Sequence, residues 1–345
     1  MPITPAQLQM IGNHSIDLYL KNDPIDQIGK ERPLVKALLG KKKPTSMGKE
    51  FIIENLRKDY QSNFQWYYGD AKVTYNKRDT LTQGKFTYGS AHDGFQLNED
   101  EFLRAGIIVT DDNEAQATAD EKVKIADLFK EQMEALKEGF EEKLDYEIHL
   151  DGSQHADAVA GLDQLISTDG VGTVGSIDAT ANPWWQNNFQ TDVAGANMIE
   201  AMELQLKAIT KHRGRVSKIL MGPLAYDEYR LRAKAEVSRQ VGLNASGQSA
   251  VLDAGITGLN FHGIPVECDW TMADVQADTA SLINWEKRIY MIDERHFCYK
   301  PIRGHEMKSR TPKRNDDEYI WKFALTHKFA ITTNKRRAHG VTVLA

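Results

Sequence analysis

The sequence predicts an α+β fold: a mixed sheet flanked by helices, with one very long helix and several extended excursions. Three observations predict it. An unbroken apolar stripe runs through residues 119–149, alternating apolar and polar residues fill 319–333, and short strand and helix signals succeed one another between 190 and 305.

Composition sets the bounds. With 345 residues the chain is long enough to bury a sizeable core, and 27% charged against 41% hydrophobic residues is ordinary for a protein in water. A net charge of -6 gives no overall attraction to polyanions, so a nucleic acid would be met only through local patches. Cys268 and Cys298 are the only cysteines and form no C-x-x-C, so the expectation is a reducing compartment. No secretory leader pattern opens the chain, and no stretch reaches membrane-spanning length.

Residues 1–48 read as an arm. Pro2, Pro5, Pro24, Pro33 and Pro44 interrupt it, and one short helix begins at Pro33 and stops at Gly40. The Lys41–Lys43 run that follows is expected to be solvated at a helix end. Between 49 and 98, strands are expected at 51–54, 64–68, 72–76 and 85–88, with turns between them. Few aliphatic residues support these strands. A hairpin bearing Trp66, Tyr67, Tyr68, Tyr75 and Tyr88 therefore needs a surface to lie on, such as a neighbouring subunit.

Ile125, Phe129, Met133, Leu136, Phe140, Leu144 and Ile148 form the stripe of the long helix, with Lys and Glu opposite. Thr118 and Glu121 make a capping-box pattern at its start. At about 1.5 Å per residue the helix would run roughly 45 Å, the length of a spine. The apolar spacing favours four over a strict heptad and so disfavours a coiled coil. Val159, Leu162 and Ile166 carry helical spacing into a further segment, 156–166.

Gly170, Gly172 and Gly175 spell G-x-G-x-x-G, the dinucleotide-binding pattern. In a nucleotide fold the third glycine opens a helix whose N-terminus holds the pyrophosphate. Here Asp178, Thr180 and Asn182-Pro183 follow, which oppose a helix and make a long loop ending in Trp184 and Trp185. Those tryptophans are candidate anchors at an assembly or domain junction, with the subunit's own core as the alternative. Beyond the loop, Thr191 or Asp192 is expected to cap a helix bearing Ile199, Met202, Leu206 and Ile209. Strands are expected at 218–221, 258–261, 263–268 and 288–292, with Gly222 and Pro223 leading from the first into a helix.

The period-2 segment places Tyr319, Trp321, Phe323, Leu325, Phe329, Ile331 and Thr333 on one face of a long, bent strand. The basic run Lys335-Arg336-Arg337 follows it.

No catalytic set converges. The ten histidines include no H-E-x-x-H and no zinc array; His149 and His155 flank Asp151 and read as loop histidines. There is no G-x-S-x-G elbow, and Asp111-Asp112 reads as a solvated turn. Asp316, Asp317 and Glu318 adjoin Arg310, Lys313 and Arg314, a density of opposite charge that points to ion pairs within or between subunits. The expectation is a protein that is not an enzyme and holds no metal or cofactor.

Several short segments recur in an order that resembles a known family. They are Gly161-Leu-Asp-Gln-Leu-Ile166, Val174-Gly-Ser-Ile-Asp178, Asn182-Pro-Trp-Trp-Gln-Asn187, Ile219-Leu-Met-Gly-Pro223 with Tyr226, Phe261-His-Gly-Ile-Pro265, and Thr333-Asn-Lys-Arg-Arg337-Ala-His-Gly340. Together with the arm, hairpin, long helix and return strand, they are similar to the major capsid proteins of tailed bacteriophages, the Hong Kong 97-type fold. The resemblance implies an N-terminal arm at 1–48, an extended β-hairpin loop at 49–100 and a peripheral domain with spine helix and tryptophan loop at 101–189. It further implies an α/β axial domain at 190–305 and a return strand of the peripheral domain at 306–345. It implies self-assembly as hexamers and pentamers into an icosahedral shell enclosing double-stranded DNA that is contacted non-specifically. A separate scaffolding protein and a portal would be partners, no membrane is involved, and the location would be the virion after assembly in the host cytoplasm. Some relatives join subunits by a Lys-to-Asn isopeptide bond; Lys72, Lys77 and Lys85 are the lysines of the extended loop. Two other readings are an encapsulin-like compartment shell and, on Gly170–Gly175, a nucleotide-dependent oxidoreductase.

Overall fold

The computed structural model describes residues 29–46, 50–98, 100, 119–243, 259–279, 283–315 and 318–345. Most of the expected arm and the Asp111-Asp112 pair lie outside the described residues. Two compact units divide the chain, one made of Met1–Lys30, Ser90–Leu144 and Gly304–Lys328, the other of Glu31–Gly89, Asp145–Arg303 and Phe329–Ala345.

Along the chain, helix α1 (Pro33–Gly40) starts with the proline that needs no amide partner and buries Leu34, Val35 and Leu38. Strand β1 (Ile52–Arg57) pairs antiparallel with β2 (Leu81–Phe86), and β3 (Gly89–Asn98) follows. Helix α2 (Ala119–His149) is one unbroken element of 31 residues. Then come the single turn α3 (Leu162–Leu165), the small strands β4 (Thr173–Val174) and β5 (Ile177–Asp178), and β6 (Asn188–Val193). Helix α4 (Met198–Lys211), strand β7 (Lys218–Met221), helix α5 (Pro223–Leu243), strands β8 (Asn260–Phe261) and β9 (Ile264–Cys268), and helix α6 (Thr271–Thr279) lead to β10 (Arg288–Ile292). Strands β11 (Phe297–Pro301), β12 (Lys308–Asn315), β13 (Glu318–Thr333) and β14 (Gly340–Leu344) complete the order.

The second unit is organised on a sheet of six strands in the order β6-β14-β10-β7-β9-β8. Strand β14 runs parallel to β6 and antiparallel to β10, and β7 runs parallel to β9. Every residue of β7, β10 and β14 is buried, so these strands show continuous apolar runs instead of alternation. Met198, Met202 and Ile209 on α4 and Ala225 and Tyr229 on α5 share one core with Ile219, Met221, Ile289 and Met291 of the sheet. The turn from β7 into α5 requires Gly222, because a Cβ there would lie 2.5 Å from the Glu286 carbonyl oxygen. Residues of the arm join this unit: the Thr45 amide donates to the Pro301 carbonyl at 2.9 Å, and the Arg303 amide donates to Thr45 at 3.0 Å.

In the first unit, β13 is paired with β12 on one side and with β3 on the other. Its register with β12 slips between Arg310 and Lys313, where Pro312 has no amide to give the ladder. Phe95 of β3 stacks on Phe323 at 4.9 Å, and Phe140 of α2 meets His327 edge to face at 6.0 Å. Beyond Lys328 the strand enters the second unit and pairs with β11, and there residues 329–333 are buried on both faces.

Several expectations are corrected. Residues 156–161 are not helical, and the helical spacing yields only the turn α3, because Gly161 lies against the Ile148 carbonyl where a Cβ would not fit. Thr191 and Asp192 belong to β6, and Asn197 stands at the N-cap of α4. Residues 64–68 and 72–76 form no strand, and the paired limb expected at 85–88 is displaced to 81–86.

Candidate assembly surface

Beyond the last paired residues of β1 and β2, Arg57 and Leu81, the chain makes an excursion over residues 58–80. Its limbs are tied by side chains. Lys58 pairs with Asp79 at 2.5 Å, the Gln61 amide oxygen accepts from the Asp79 amide at 2.7 Å, and the Gln65 oxygen accepts from the Thr74 amide at 3.2 Å. Gln65 Nε2 donates in turn to the Thr74 hydroxyl at 2.7 Å, and Gly69, at φ 52°, makes the tip. These amide clips hold the two limbs together without a backbone ladder, which is why an aromatic–polar alternation here is not a strand.

The aromatic rings on this excursion are bare. Trp66 is 91% exposed, Tyr68 95% and Tyr75 92%, and Tyr60, Phe64 and Tyr67 are exposed with them. Only Phe64 and Trp66 pair, edge to face at 5.2 Å. Six rings of about 150–250 Å² each present on the order of 1,000 Å², and a partner in a stable interface contributes about 800 Å². The exposed rings of the excursion thus match in area one side of a stable interface. Sequence reasoning passed over Tyr60 and Phe64, whose place in the same aromatic series was the available signal. Tyr88 is set apart: it is half-buried and lines a cavity of about 200 Å³ with Phe51, Ile52, Lys300 and Ile302.

The glycine pattern resolves into a turn. Gly175 (φ 60°) and Ser176 (φ 63°) form a tight two-residue reversal between the paired strands β4 and β5, the geometry that demands positive φ at both central positions. No helix opens at the third glycine, so the amide cluster that would hold a pyrophosphate is not formed. Gly170 and Gly175 are also places of close approach, where a Cβ would lie 2.7 Å from the Phe189 ring and 2.8 Å from the Phe86 ring. The loop is a fitted part of the second unit.

Trp185 is correspondingly a core residue. It is 2% exposed, and its Nε1 donates to the Val174 carbonyl at 3.0 Å. Its apolar area is thus buried inside its own chain, as the own-core alternative has it, and is not offered to a neighbouring subunit. Trp184 is half-buried, 5.6 Å from Trp185, and its Nε1 donates to Asn182 at 3.2 Å.

The charged turn is only partly visible. Arg310, Lys313 and Arg314 lie on β12 and Glu318 opens β13, with Asn315 opposite Glu318, while Asp316 and Asp317 lie outside the described residues. The basic run behaves unlike a solvated patch. Arg336 is buried and donates to the carbonyls of Leu165 at 2.9 Å and Trp185 at 3.3 Å and to Asn187 Oδ1 at 3.0 Å. Burial lowers its pKa to about 10, with the charge of Asp169 acting the other way.

Of the histidines flanking Asp151, His149 is turned inward, buried beside Asp145 and Asp269. Asp151 accepts from the Ser153 amide at 2.9 Å, and His155 is exposed.

No family model matches the chain, and no curated protein sequence matches it. Solved structures do. The cyanophage A-1(L) capsid asymmetric unit is 15% identical with a TM-score of 0.59, over 96% of this chain and 98% of that one. The capsid of the native GTA particle is 10% identical with a TM-score of 0.52, over 95% and 96% respectively. The capsid of Myoviridae phage XM1 is 13% identical with a TM-score of 0.52, over 95% and 97%. At these identities the likeness is one of fold: from end to end, the chain has the fold of phage capsid proteins.

Proposed function

We propose that the chain is the major shell protein of a tailed bacteriophage, assembling with copies of itself as hexamers and pentamers into an icosahedral capsid that encloses double-stranded DNA. The observation that carries this reading is the 58–80 excursion, on which Trp66, Tyr68 and Tyr75 stay more than nine-tenths exposed among the described residues. A neighbouring copy is the occupant that gives them cover in every subunit of a closed shell. Fold likeness to phage capsid structures supports the same reading. The net charge of -6 supports a shell that contacts packaged DNA non-specifically and without tight binding. A scaffolding protein and a portal are the proposed partners during assembly in the host cytoplasm, and the mature location is the virion.

Size-exclusion chromatography with negative-stain microscopy of the purified chain tests the proposal. Closed particles are the expected result; a monomer that never assembles at tens of micromolar overturns it. The contents separate shell types, since nuclease-protected DNA supports a capsid and a co-purifying enzyme supports a cargo compartment.

A further inference from the structure

The last turn of α2 buries a polar cluster remote in sequence from its other half. Asp145, His149 and Asp269 are each 0% exposed, and one ligand atom from each lies within 4.8 Å of the others. Each of the three side chains is held by one polar atom and turns another toward the other two. His149 Nδ1 faces the Asp145 backbone carbonyl at 2.7 Å, which fixes the ring and turns Nε2 toward Asp269 Oδ2 at 3.0 Å. Thr271 pins both carboxylates: its amide donates to Asp269 Oδ1 at 3.1 Å and its hydroxyl donates to Asp145 Oδ2 at 2.5 Å. That leaves Asp145 Oδ1, buried and without a hydrogen-bond partner. An unpaired carboxylate oxygen this deeply buried is costly, and a bound cation is one group that satisfies it.

We propose that Asp145, His149 and Asp269 form a binding site for one divalent transition-metal cation of the zinc class. One imidazole nitrogen and two carboxylate oxygens suit such an ion, whereas Mg²⁺ and Ca²⁺ prefer all-oxygen shells. Charge balances as well, because a dication with two carboxylates and a neutral imidazole leaves a net charge of zero. The supporting contacts are those that metal sites use: the ring nitrogen away from the metal bonded to a carbonyl, and the far carboxylate oxygens bonded to protein donors. Ligand atoms around a tetrahedral zinc, bonded at about 2.0–2.2 Å, stand about 3.3–3.6 Å apart, so closing the widest pair takes a side-chain movement of about 1 Å. In the absence of a cation a proton takes that role: burial opposes it, but the Asp269 and Asp145 carboxylates hold the His149 proton up to about 9. Burial above all raises the pKa of Asp145 itself, against the opposing charge of His149. The ion would fasten the end of α2 to the segment that opens α6, two parts of the second unit about 120 residues apart.

Because the site is fully enclosed, metal has to be supplied during refolding. The full chain is unfolded in denaturant with EDTA, then refolded with zinc, with cobalt(II) or with EDTA alone, desalted, and analysed for metal content, visible absorption and melting temperature. Expected are about one zinc per chain, d–d absorption of the cobalt form and a higher melting temperature with zinc than with EDTA. Asp145→Asn should reduce retained metal to below a tenth of an equivalent. Thr271→Val keeps all three ligands and removes only the hydroxyl that orients Asp145, and should weaken zinc binding about 10- to 100-fold. Wild-type chain that refolds yet retains no more metal than Asp145→Asn, or melts identically with zinc and EDTA, overturns the proposal and leaves a buried ion pair only.

Discussion

Arg336 Nε donates to the backbone carbonyl of Leu165 at 2.9 Å across 171 residues of sequence, one of several bonds by which a single guanidinium joins α3, the tryptophan loop and the turn before β14. Carbonyls at loop ends have no ladder partner, and a five-donor fork supplies several at once. Arg336→Met should therefore lower the stability of the isolated subunit by on the order of 3 kcal/mol. Arg336→Lys should recover only part of that, because an ammonium cannot reproduce the fork. Urea unfolding followed by tryptophan fluorescence measures both.

Trp185→Ala is expected to act on the subunit itself. A buried tryptophan replaced by alanine typically costs about 3–5 kcal/mol, so the variant's melting temperature should fall before any assembly is attempted. A variant that melts like wild type would place Trp185 outside the core.

Replacing Trp66, Tyr68 and Tyr75 together by serine should do the reverse. Exposed rings contribute little to the free subunit, so circular dichroism and melting stay as in wild type while particle yield collapses. Particles formed in normal yield would remove the excursion from the interface.

Trypsin offers a test on the unaltered chain. Lys72, Lys77 and Arg78 stand on the exposed excursion and should be cut within minutes in free subunits and protected in shells. Equal cutting in the two forms contradicts burial by a neighbour.

Acid should weaken the second unit through His339. Its ring is buried, accepts from the Asp293 amide at 3.3 Å and lies near Asp293, His296 and Arg336, and burial above all holds its proton affinity down to about 3. Its folded value is below the unfolded value of about 6.5, so the unfolded state binds more protons between them. Stability from this group is complete above about pH 6.5 and declines as pH falls toward 3. His339→Asn should flatten that part of the stability–pH curve, and an unchanged slope would assign acid loss elsewhere.

The long helix and the long strand were legible because each is amphipathic over many residues: the stripe ending at Ile148 and the alternation ending at Thr333 leave no competing period. Strand β14 was not, since Gly340–Leu344 is buried on both faces and carries no alternation at all. Residues 64–68 and 72–76 have the aromatic pattern of strands but no backbone partner, a property that residue order does not encode. Trp185 sits among glycine, asparagine and proline, a composition that reads as surface, and only the fold brings β4 and Arg336 around it. His149 was visible as a helix-end histidine, but Asp269 is too far along the chain for any spacing rule to join them.

Strand β14 is the latest in sequence of the six strands it completes, and it lies inside the sheet between β6 and β10. Until a ribosome has released residues 340–344, β6 has no neighbour to pair with and the hydrophobic layer beneath α4 stays open. Closure of this sheet thereby waits on the synthesis of residues 340–344. A chain cut short by even a few dozen residues would keep its excursion of aromatic rings but lack a closed body to present it, a form of quality control exerted by topology alone.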